Sequence, residues 1–167
     1  MQLRADQLAQ HLKQATQRGG LKPIYTVWGD EPLQAMEAGD ALRAAARAAG
    51  YTERQVHTVS GAHFQWDMLL GASQAMSLFA DRQLIEIRIP SGKPGKDGSD
   101  ALQRYCSGPA AEPGGDVITL VQLPRLDRQQ QQSAWFMALD QAGVTVRVDP
   151  IERKALPGWI AQRLAAQ

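Results

Sequence analysis

The first candidate for chemistry is Val27-Trp28-Gly29-Asp30-Glu31-Pro32, where an apolar run meets a glycine and then the start of a helix. In a three-layer α/β nucleotidase this is where the phosphate loop sits. That chemistry needs G-x-x-x-x-G-K-S/T: glycine N–H groups to cradle phosphate, a lysine for charge and a hydroxyl for magnesium. This stretch has one glycine, two carboxylates (Asp30 and Glu31) and no lysine followed by Ser or Thr. Carboxylates at that mouth repel a triphosphate, so ATP is not expected to bind there. A second glycine-rich stretch, Gly92-Lys93-Pro94-Gly95-Lys96-Asp97-Gly98, has an acid where the hydroxyl is needed and a proline where a donor is needed. It reads as a surface loop over 91–98. A divergent P-loop ATPase using Lys93 or Lys96 is the alternative reading.

Other chemistry-bearing residues are scattered. His11, His57 and His63 lack the spacing that would put two metal ligands on one helical face. His63 with Asp67 reads as a surface pair on a helix. Cys106, the single cysteine, has no base marked beside it and no partner for a disulfide. No catalytic residue, metal site or cofactor is expected.

One segment stands out for its position. Gln74-Ala75-Met76-Ser77-Leu78-Phe79 falls between a helix and a strand, where a chain normally exposes polar turn residues. Two readings stand. Leu78 and Phe79 plug the edge of a sheet, as apolar residues in loops often do, or they project towards a partner's pocket. Burial of each would contribute about 1.5–3 kcal/mol, enough for a hot spot but not for a whole interface.

The elements that must position these residues follow from periodicity. Helices are predicted over 6–18, from about 32 to 49, and over 64–75, 100–106, 129–141 and 155–166. Asp30 is the expected cap of the second helix and Gly50 its terminator. Strands are predicted over 24–28, 55–59, 84–89, 117–121 and 144–148, with 117–121 central and 84–89 partly wet on one face. Trp135, Phe136 and Leu139 should face inward. Strands alternating with helices require crossover connections, hence a three-layer α/β/α fold around a five-stranded parallel sheet. Asp149-Pro150 breaks the pattern. The chain therefore reads as a domain over 1–149 followed, over 150–167, by the first helix of a helical domain.

Composition narrows the function. The chain has 167 residues, 44% hydrophobic and 21% charged, which suits one domain with room for a fragment of a second. Eighteen basic against seventeen acidic side chains leave a net charge of +1. Phosphate-gripping proteins usually carry a clear basic excess, so an accessory DNA-binding domain is disfavoured and DNA contact is expected only indirectly. There is no secretory signal and no bilayer-length apolar run, and one cysteine suits a reducing compartment; a cytoplasmic, non-membrane protein is expected.

Against this background Gln74-x-x-Ser77-Leu78-Phe79 is similar to the Q-x-x-(S/D)-L-F peptide by which bacterial replication proteins bind the sliding clamp. Its context through Ala80-Asp81-Arg82-Gln83 resembles the delta subunit of the DNA polymerase III clamp loader. So do Tyr25 to Leu33, Gly92 to Gly98, Ser133-Ala134-Trp135-Phe136 and Leu156-Pro157-x-Trp159-Ile160, in order along the chain. The resemblance implies an AAA+-like, P-loop-like N-terminal domain without ATP binding, joined to the start of a lid domain. It implies a non-catalytic subunit of a DNA-directed DNA polymerase, a nucleotidyltransferase only by membership of the holoenzyme. Leu78 and Phe79 would enter the pocket of the clamp (the beta subunit), with Met76 and Ser77 alongside and Gln74 at the rim, and help to open the ring. Other loader subunits (gamma/tau and delta prime) would be met mainly through a C-terminal domain.

Overall fold

The computed structural model describes residues 1–18, 20–59, 66–74, 82–108, 111–112 and 115–148. Its strands are β1 (Gln2–Arg4), β2 (Ile24–Gly29), β3 (Tyr51–Thr58), β4 (Arg82–Arg88), β5 (Val117–Leu123) and β6 (Val144–Val148). Its helices are α1 (Ala5–Arg18), α2 (Pro32–Ala48), α3 (Trp66–Gln74), α4 (Gly95–Cys106), α5 (Arg128–Gln131) and α6 (Ala134–Ala142). The strands form one sheet in the order β1-β6-β2-β5-β4-β3, and every neighbouring pair is parallel.

The most apolar runs lie inside. β2, β5 and β6 occupy the middle of the sheet, where both faces must be dry. On one face Leu8, Leu12, Ala38, Leu42 and Ala46 from α1 and α2 pack on Tyr25, Val27, Leu120 and Val146. On the other, Trp66 and Leu69 of α3, Leu102 and Tyr105 of α4, and Trp135, Phe136 and Leu139 of α6 pack on Ile24, Trp28, Ile85, Ile87 and Val121. Tyr105 is fully enclosed and its hydroxyl meets Thr119 Oγ1 at 2.5 Å, which satisfies both polar groups. The expected α/β/α layering holds.

The sheet has six strands, not five. β1 is three residues long and mostly exposed, with no apolar run to betray it. Pairing with β6 creates it: Thr145 N–H donates to Met1 O at 2.8 Å, and the Met1 ammonium meets Asp140 at 3.1 Å. β3 begins at Tyr51 rather than 55, because a polar edge strand shows no local apolar signal. β4 is not wet on one face. Its core positions are all buried, including Glu86. The predicted 91–98 loop is shorter, since α4 already begins at Gly95. The helix predicted over 129–141 is two: α5, closed by a capping box between Asp127 and Gln130, and α6 after a break at Gln132-Ser133. The helix predicted over 155–166 and the 150–167 segment lie outside the described residues.

Candidate functional site

β2 delivers Trp28 and Gly29 to the carboxyl edge of the sheet, where an AAA+-like protein would bind phosphate. Gly29 has φ of 141°, and a Cβ there would run into the Val148 carbonyl, so β6 passes directly against this residue. The next helix is capped by Glu31 rather than by Asp30: Leu33 N–H donates to Glu31 Oε1 at 3.0 Å. Asp30 instead faces Arg125 at 3.6 Å. Pro32 opens α2 and brings no N–H. The helix end that would hold a phosphate thus spends its first donor on its own carboxylate, with a second acid beside it.

The Gly92–Gly98 stretch is committed to packing. Gly92 adopts φ of 67° against Pro124 and Leu126, and its carbonyl accepts from Gln130 Nε2 at 2.8 Å. A Cβ on Gly98 would sit 2.5 Å from the Trp66 ring, so this glycine lets α4 close on α3. Lys93 and Lys96 are exposed. His11 bonds to the Tyr25 hydroxyl at 3.1 Å and His57 lies by Gln55, so these two are not brought together; His63 lies outside the described residues. Burial pushes the Cys106 thiol up to about 12, which leaves it a poor nucleophile. Among the described residues no group of His, Cys, Asp and Glu could hold a metal ion.

Of the candidate partner-binding residues, Gln74 is the last residue of α3; Met76, Ser77, Leu78 and Phe79 lie outside the described residues. The flanks of that segment are described, and both are fixed. α3 is anchored by Trp66 and Leu69 in the core. β4 is fixed at its first residue, where Arg82 Nη1 donates to Ala49 O at 3.0 Å and the guanidinium lies 5.2 Å from the Tyr51 ring centre. Gln83 N–H then donates to Asp116 O at 2.8 Å. β4 therefore begins at the amino edge of the parallel sheet, opposite the edge that carries Gly29 and Glu31.

One charged cluster escapes a sequence reading. Glu86 is fully buried in β4 and accepts from Arg43 Nε at 3.1 Å and from Arg54 Nε, with Arg88 Nη2 at 3.6 Å. Burial alone would raise its pKa, but hydrogen bonds from Arg54 and Arg43 outweigh it and hold the carboxyl below its ordinary value. The available signal was an acid inside an apolar strand run, Leu84-Ile85-Glu86-Ile87. Its three arginine partners come from different elements.

Comparison with known proteins places this geometry. The chain is 31% identical over 144 residues to DNA polymerase III subunit delta of Escherichia coli (strain K12), across 86% of this chain and 40% of that protein. To the same subunit of Haemophilus influenzae it is 24% identical over 164 residues, across 96% of this chain and 44% of that protein. The solved structure of the Bacillus subtilis DNA clamp loader delta protein superposes with a TM-score of 0.64 at 15% identity, over 90% of this chain and 44% of that one, a likeness of fold. The chain spans less than half the length of these relatives. A family model for the delta subunit of DNA polymerase III matches residues 25–149, from β2 to just past β6, and the chain belongs to that family.

Proposed function

We propose that this chain is the clamp-engaging portion of a clamp-loader delta subunit, acting in DNA replication by binding the sliding clamp and favouring its opened form. Residues 1–149 are the AAA+-like clamp-binding domain and 150–167 the start of the helical lid. Leu78 and Phe79 enter the clamp's apolar pocket, Met76 and Ser77 line the entry, and Gln74 makes the polar contact at the rim. The subunit hydrolyses no ATP and supports the polymerase without transferring nucleotides itself. Gamma/tau and delta prime subunits are its further partners, engaged chiefly outside this chain, and DNA is reached only through the clamp.

The observation that supports this reading is the fixing of the two elements that flank Gln74–Phe79 in the sequence. α3 is anchored by Trp66, and β4 is fixed at Arg82, on the sheet edge away from the Glu31-capped helix end. A tether would need no such support, whereas a wedge that favours one ring geometry does. Such a wedge shifts the ring equilibrium only by its differential affinity for the open form, so it requires no local hydrolysis.

The test is a calorimetric titration of the chain against a bacterial sliding clamp. Leu78→Ala with Phe79→Ala should abolish binding and leave the thermal unfolding midpoint nearly unchanged. Retained binding, or a large loss of stability, would sink the proposal. Titration with magnesium-ATP should give no heat of binding; micromolar affinity would favour a divergent ATPase.

A further inference from the structure

α2 leaves the carboxyl end of β2 and returns to the amino end of β3, so it crosses β5 and β4 on a diagonal. A helix about 10 Å across cannot cover three strands spaced at about 4.8 Å along their whole length. On this face the carboxyl half of β3 is exposed at Val56, and β4 opens only at its end, where Arg88 follows the fully buried Glu86. There the structure has a cavity of 720 Å³ lined by Met36, Asp40, Arg43 and Arg47 of α2, by Arg54 of β3 and by Arg88 of β4, among others. That volume is in the range of small-molecule sites.

Its charges do not cancel. Four guanidiniums line it, against Asp40 at the rim and Glu86 beneath the floor. Asp40 takes Arg43 at 2.8 Å, and Glu86 takes Arg43 at 3.0 Å and Arg54. Those pairs account for two arginines. Arg88 keeps only a 3.6 Å approach to Glu86, and its Nε is buried without a hydrogen-bond partner. Arg47 has no carboxylate in ion-pair reach among the described residues. Two positive charges thus remain over a pocket whose other walls include the apolar Val27, Ala35, Met36 and Ala44.

We propose that this bay binds a phosphate-bearing small-molecule anion. Arg47 and Arg88 take the phosphate oxygens with their planar forks. Arg43 and Arg54, immobilised by Glu86, supply fixed positive charge, and Met36 contacts the uncharged part of the ligand. Two unbalanced positive charges in one bay of a chain with net charge +1 suit a compact anion better than a nucleic acid backbone. The proposal does not depend on clamp binding.

The probe is inorganic pyrophosphate, titrated into the full chain at low salt while the arginine Nε–Hε resonances are followed by NMR. Saturable shifts at Arg88 and Arg47, with sub-millimolar affinity, are expected. Arg47→Gln should weaken binding about tenfold, as should Arg88→Gln, each removing one charge-assisted contact. Arg47 is exposed at the helix surface, so its variant should fold even if the Arg88 variant does not. Lys93→Gln with Lys96→Gln should leave the affinity unchanged. Absence of saturation by about 10 mM, or equal affinity in Arg47→Gln, overturns the proposal. So does tighter binding of a short single-stranded oligonucleotide lacking terminal phosphates, which would make this a nucleic acid surface.

Discussion

Glu86 is a carboxylate with no solvent contact, kept ionised by arginines from α2, β3 and its own strand. Removing it would leave those guanidiniums facing one another across a dry floor. Glu86→Ala should therefore cost about 3–5 kcal/mol in urea unfolding at pH 7. Its folded pKa lies below the ordinary 4.5, so its contribution is complete above that value and is lost as pH falls through the lower, folded one. Glu86→Gln should consequently be the less stable protein at pH 7, and its deficit should shrink as pH drops below about 4.5. A deficit that stays constant down to pH 2.5 would show that the charge is not what holds the cluster. Cys106 gives a second residue-scale prediction. With its thiol raised to about 12, it should react with a disulfide reagent at pH 8 at least a hundredfold more slowly in the native chain than in denaturant.

Among the elements, α3 and α4 meet where Gly98 lies under the Trp66 ring. Gly98→Ala should force that ring aside and lower stability by about 1–3 kcal/mol in a thermal melt. Because Trp66 anchors the helix that ends at Gln74, the same variant should weaken clamp binding measurably. What was legible in the sequence divides along the same lines. β6 matches its predicted bounds of 144–148 and β5 lies centrally as expected, because consecutive β-branched residues have few alternatives to a buried strand. Trp135, Phe136 and Leu139 face inward as their spacing requires. β1 and the start of β3 were illegible, since both are polar edge segments made by partners distant in sequence. The start of α4 was hidden by glycines and a proline that usually mark loops, here used for close packing against Trp66, Pro124 and Leu126. The acidic character of the degenerate phosphate position was readable, but not which acid caps α2, because Asp30 and Glu31 are adjacent and only the Arg125 contact separates their roles. The Gln74–Phe79 segment could be singled out by residue type alone, whereas the arginine bay required the diagonal of α2.

At the scale of the molecule, the two ends of the parallel strands carry different chemistry. The segment proposed to engage the clamp joins at the amino edge, and the acid-capped helix end lies at the carboxyl edge, about 20 Å away along a seven-residue strand such as β4. The difference between a wedge and a tether is testable here. A synthetic peptide covering residues 72–83 should compete with the whole chain for the clamp, yet only the whole chain should separate fluorophores placed across the ring's subunit interface. Ring opening by the peptide alone would make the scaffold dispensable. The position of β6 matters for traction on the assembly. It lies between β1 and β2 and runs parallel to both, with Val146 opposite Leu3 and Val27. A tug arriving past Val148 pulls β6 lengthwise, so the rungs on both sides share the load at once instead of parting one by one. A molecule pulled from that end in an optical trap should yield abruptly, at a single high force.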